Sequence, residues 1–152
     1  MDPEQFRHHI LRPVLKQIEL WSPEAEELLM GTAAVESGFR YLHQIRGPAV
    51  GIFQMEPKSI MDLLGWIGQR PRAKASLIPY TLPQLPIVEQ CHGNLYLITA
   101  LARWYYYRIP DPIPVKLAGQ AEYWKRYYNT PLGKGTEQKY ISAYNRLIKG
   151  AS

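Results

Sequence analysis

Apolar positions recur along the chain at helical steps, and no strand-rich stretch stands out to build a sheet. A first helix is expected over residues 3–20. Ser22 as N-cap and Pro23 as first helical residue open a second, with Glu24 and Glu26 near its positive dipole end and Gly38 marking its stop. Residues 38–55 read as a loop with room for a short hairpin, and Pro57 opens a third helix to Ile67. Residues 69–86 hold Pro71, Pro79, Pro83 and Pro86 and are expected to be irregular, as a lid or connection. A long helix over residues 88–107 is the expected central core element, ended by Pro110, Pro112 and Pro114. Then come a helix over 115–128, a turn at 130–135, and a last helix over 136–149 stopped by Gly150. The fold class expected is all-α, a single domain over 1–152 with an N-terminal helix (1–20) and a core (22–150).

Within the second helix one position breaks the pattern. Leu29, Ala33 and Glu36 share a face by i, i+4, i+7 spacing, and Ala25, Leu28 and Thr32 widen it into a packing surface. A carboxylate on such a face costs free energy, so burial raises its proton affinity. The negative end of the helix dipole, just before Gly38, acts in the same direction. A carboxyl group still protonated near neutral pH is a candidate general acid.

The residues that follow carry a family resemblance. Glu36-Ser37-Gly38-Phe39, then Gly51-Ile52-Phe53-Gln54-Met55-Glu56-Pro57, resemble in order and spacing the two leading motifs of the lytic transglycosylase, goose-lysozyme-like group. A looser correspondence is Asn94-Leu95. Tyr128-Asn129 resembles the motif that lines the sugar cleft, although Thr130-Pro131-Leu132-Gly133 replaces the usual Ala-Gly. Tyr144-Asn145 is a second Tyr-Asn pair. Tyr128-Asn129 is preferred because a Gly/Pro turn follows it, and the choice stays open here.

The resemblance implies a lysozyme-like helical fold, a loop or hairpin lining a glycan cleft, and cleavage of the β-1,4 bond between N-acetylmuramic acid and N-acetylglucosamine without a cofactor. Glu36 would serve as acid and then base. Ser37, Gly51, Phe53, Gln54, Met55, Tyr128 and Asn129 would bind substrate or support the acid. Ordinary glycosidases use two carboxylates. Glu56 and Asp62 are the nearest second acids, each also explicable as a charge at the start or on the exposed face of the third helix, so a lysozyme-type hydrolase remains an alternative.

Composition narrows the partners. Hydrophobic residues make up 46% and charged residues 20% of the 152, which excludes a disordered chain. No run approaches the ~20 apolar residues of a membrane span, so no membrane insertion is expected. The first twenty residues lack the apolar core of a secretory signal. An enzyme of the cell wall without an export address fits a bacteriophage particle, so a virion location, tail or internal, is expected, with peptidoglycan strands and other virion proteins as partners. A non-catalytic structural virion protein on the same fold is the alternative from a different class.

The lone Cys91 excludes an internal disulfide, and adjacency to His92 does not make a nucleophilic dyad on a helix. His8, His9, His43 and His92 show no metal-ligand spacing, so no metal is expected. The net charge of +5 and the runs RWYYYR and YWKRYY raise nucleic-acid binding as a competitor. Those aromatics sit at core-facing helical spacing and the charge is dispersed, so no specific nucleic acid is expected.

Overall fold

The computed structural model describes residues 1–151, which are predominantly helical with no strand among them. The first helix, α1, covers residues 3–17 and is opened by Asp2, whose carboxylate accepts from the Gln5 N–H. Helical structure continues past Pro13 because Arg7–Leu11 widens to π-type turns, and the Arg12 N–H reaches back to the Arg7 carbonyl. The wider turn relieves the clash between a proline ring and the carbonyl four residues earlier. The helix stops before the expected Leu20: Glu19 turns left-handed at φ 61°, and the Leu20 N–H closes on the Leu15 carbonyl at 2.9 Å.

Helix α2 (Pro23–Ser37) begins as its capping residues predict, with Ser22 Oγ accepting from Ala25 N at 3.0 Å. Gly38 ends it at φ 59°. Ten of its fifteen residues are buried, which makes α2 a central element rather than a surface helix with one apolar stripe. It packs against α6 (Leu95–Tyr107), α7 (residues 117–129) and α8 (Glu137–Leu147).

The expected hairpin between residues 38 and 55 reduces to isolated bridges, His43 with Val50 and Val50 with Met55. After α3 (Pro57–Gly68), the segment expected to be irregular contains α4 (Pro71–Leu77) and a 3-10 turn, Ile78–Tyr80. Pro71 starts that helix instead of preventing one, since a proline at the first position loses no intrahelical bond. The helix expected over 88–107 is broken. A single turn, α5 (Ile87–Gln90), is followed by a turn at Cys91–Gly93, and Asn94 caps α6 through Oδ1 to the Leu97 N–H at 3.1 Å. The break makes room for Gly51, since a Cβ there would lie 2.3 Å from the Cys91 carbonyl oxygen.

Helices α1, α2, α6, α7 and α8 enclose one apolar core around Phe6, Leu15, Leu28, Phe53, Leu101, Trp124 and Tyr140. The seam between α1 and α2 is ionic. Glu26 accepts from Arg7, from Arg12 by two bonds, and from the Trp21 indole at 2.6 Å. Those bonds outweigh the effect of burial and hold the Glu26 carboxyl down at about 2. Among the described residues no helix is long and apolar enough to cross a membrane.

Candidate active site

The last turn of α2 delivers Glu36 to the wall of a cleft of about 550 Å³. Glu36 Oε1 accepts from the Trp124 indole N–H at 3.0 Å, across 88 residues of sequence. Burial pushes the Glu36 carboxyl up to about 7, against the opposing effect of that hydrogen bond. A carboxyl group poised there exists in both protonation states near neutral pH and is equipped to give and take a proton.

Gln54, Met55, Tyr128 and Asn129 line the same cleft. Gln54 stands at φ 48° on the tight turn after Gly51, and its amide Nε2 donates back to the Gly51 carbonyl at 2.9 Å rather than to Glu36. Tyr128 has its ring on the cleft, stacked on Tyr106 at 5.3 Å between centroids, while its hydroxyl donates to the Phe53 carbonyl at 2.5 Å. The hydroxyl therefore ties α7 to the 51–55 turn and makes no hydrogen bond to the Glu36 carboxyl.

Three of the expected residues support the cleft from behind. Ser37 is buried, donating to the Ala33 carbonyl and accepting from the Phe39 N–H, both at 3.2 Å. Gly51 is fixed at φ 76° against Cys91 and Ile98, and Phe53 lies in the core beside Phe6. Tyr144 is elsewhere, its hydroxyl bonded to Glu27, so of the two Tyr-Asn pairs only Tyr128-Asn129 lines the cleft. Residues 69–86 contribute no lining residue, so the expected lid does not cover this site.

Of the two nearest second acids, Glu56 lines the cleft and Asp62 does not, and Ser59 and Lys134 line it without having been expected to. Glu56, at the N-cap position of α3 and exposed, is the one other carboxylate on the cleft wall and makes no capping bond. Tyr105 and Ser59 line the cleft beside it. The far rim is the loop at residues 130–135, held by Lys125. Its ammonium donates to Asn129 Oδ1 (2.8 Å), the Thr130 carbonyl (3.0 Å) and the Gly133 carbonyl (2.8 Å). Gly133 and Gly135 let this loop lie directly on Asn129 and Trp124, where added Cβ atoms would fall 2.4 Å from their neighbours. The glycine spacing of GKG was visible in sequence as a turn; its closeness to Trp124 was not.

Among the described residues no three His, Cys, Asp or Glu side chains gather as a metal site. His43 and His92 stack at 5.3 Å, away from the cleft wall, and burial raises the Cys91 thiol to about 12, which leaves it a poor nucleophile. No family model matches this chain, and no curated protein or solved structure shows significant similarity to it.

Proposed function

We propose that this protein is a lytic transglycosylase that cleaves the MurNAc-GlcNAc β-1,4 bond of peptidoglycan, with Glu36 as its acid and base. The observation that carries the reading is a half-buried carboxyl, hydrogen-bonded by the Trp124 indole and with its proton affinity raised by burial, on the wall of a cleft large enough for sugar rings. Glu36 gives its proton to the glycosidic oxygen as the bond to the muramyl C1 breaks. The carboxylate then takes the proton of the muramyl C6 hydroxyl as that oxygen bonds to C1, so the acid is restored and a 1,6-anhydro end forms without water. The Tyr105 and Tyr128 rings offer apolar walls to sugar faces, while Asn129 and Gln54 offer polar edges.

A hydrolytic outcome is the second reading, and Glu56 is the observation that favours it, because a second carboxylate on the cleft is suited to activate water. Digestion of purified peptidoglycan by wild type and Glu36→Gln, with products read by mass spectrometry, separates these readings. Anhydro-muropeptides from wild type alone are expected. Reducing ends lost in the variant would make the protein a hydrolase with the same acid. No release from folded wild type would end the enzymatic reading and leave a structural role on a lysozyme-like fold. Delivery by a phage particle belongs to the same proposal, and absence of the protein from purified virions would remove that part.

A further inference from the structure

The Glu36 carboxyl has one hydrogen-bond partner among the described residues, the Trp124 indole. An indole N–H only donates. It therefore pairs with a lone pair of Oε1 in either protonation state and disfavours a proton on that oxygen. We propose that Trp124 is a positioning residue that keeps the acidic proton of Glu36 on Oε2 and sets how firmly it is held. The consequence for catalysis rests on the reading of Glu36 as the acid; the protonation arrangement itself does not.

The position of Trp124 is built in from two sides. Its side chain is 1% exposed and its ring packs on Tyr140 at 5.6 Å between centroids. Tyr140 in turn donates to the Leu28 carbonyl at 3.1 Å and lies against Gly31, where a Cβ would fall 2.1 Å from its hydroxyl. Behind the indole, Gly135 brings the 130–135 loop so close that a Cβ would fall 2.4 Å from the ring. The N–H is thus aimed by packing, and Glu36 need not search for it. When Glu36 gives up its proton, the same N–H meets an oxygen that has become more negative, and the bond strengthens at the moment charge develops.

Titratable groups near the carboxyl come from several elements. Tyr106 on α6 and Tyr128 on α7 both interact with the Glu36 charge, and both phenols are held well above their ordinary range by burial. Glu56 and Lys134 line the cleft, Tyr105 stands on its wall, and Tyr140 lies behind Trp124. None of them donates a hydrogen bond to Glu36, which leaves the indole as the group that distinguishes Oε1 from Oε2.

The test replaces Trp124 alone by 3-benzothienylalanine, which keeps the shape of the ring and exchanges the N–H for sulfur, with Trp124→Phe alongside. Carbon-13 NMR of labelled glutamate side chains then follows the Glu36 carboxyl through pH in the full-length protein. Glu36→Gln assigns the signal. The titration midpoint is expected to rise by about one pH unit, roughly a tenfold gain in proton affinity, on loss of one charge-assisted bond. A midpoint that stays in place or falls, in a folded benzothienyl variant, overturns the inference. Because this readout needs no substrate, it stands apart from peptidoglycan digestion, whose failure in wild type would count against the proposed function instead. Where digestion occurs, the alkaline limb of kcat moves up with the NMR midpoint while KM stays constant.

Discussion

Glu36 combines a site's chemistry with a stability cost, and the sign of that cost is open to measurement. Its carboxyl is raised from 4.5 to about 7 in the folded chain. Below 4.5 both folded and unfolded forms are protonated, so the group contributes nothing to the difference. Between 4.5 and 7 the folded form keeps a proton that the unfolded form releases, so stability falls as pH rises, and above 7 the full penalty is present. Glu36→Gln keeps an acceptor for Trp124 and removes the titration. It is expected to unfold at the wild-type temperature at pH 4.5 and to be more stable by about 2 kcal/mol at pH 8. Equal differences at the two pH values, in thermal unfolding scans, would show that burial does not act on this carboxyl. The catalytic counterpart follows from the same group: an acid must hold its proton to donate it, so kcat should decline about tenfold per pH unit above 7.

Among the elements, the 130–135 loop depends most on one side chain. Lys125 spends all three ammonium donors on Asn129, Thr130 and Gly133, and Thr130 is held at φ 72° without being glycine. Lys125→Met keeps much of the stem and loses those bonds. Amide exchange is expected to speed up across residues 130–135 and to stay slow in α2 and α6, with about 1–2 kcal/mol lost from global stability. Unchanged exchange in the loop would mean that glycine packing alone holds it. Behind the cleft, Gly51→Ala places a methyl group against the Cys91 carbonyl at a positive φ, and urea unfolding should register a loss of about 2–3 kcal/mol. Two element starts were legible because proline and serine act locally, Ser22-Pro23 and Pro57, whereas Pro71 begins a helix inside a segment expected to be irregular. The break at Gly93-Asn94 was missed although a glycine and a capping-type asparagine stand there, because what fixes it, the approach of Gly51, lies forty residues away in the chain.

At the scale of the whole molecule, the ionic seam between α1 and α2 decides how the N-terminal helix is held. Glu26 is 3% exposed and depressed to about 2, so its stabilising contribution is present above the unfolded value of 4.5 and is lost as pH falls towards 2. Glu26→Gln leaves Arg7 buried with fewer partners and should cost about 2–3 kcal/mol at pH 7, much less at pH 2.5. Thermal unfolding of both proteins at the two pH values checks this, and an equal loss at both would assign the effect to packing.

The sequence by itself determined that the chain is helical, where most helices start, and that Glu36 is a carboxylate on a packed face, because capping, proline geometry and helical periodicity are properties of neighbours a few residues apart. It also held two Tyr-Asn pairs and favoured Tyr128-Asn129 by the Gly/Pro turn that follows it, without deciding between them. Only the tertiary structure brought Trp124 to Glu36, put Tyr128 and Asn129 on the cleft while sending Tyr144 to Glu27, and moved Ser37 and Phe53 behind the wall. Those outcomes depend on how α2, α7 and α8 cross, and a crossing is set by side-chain packing between segments that no local pattern connects.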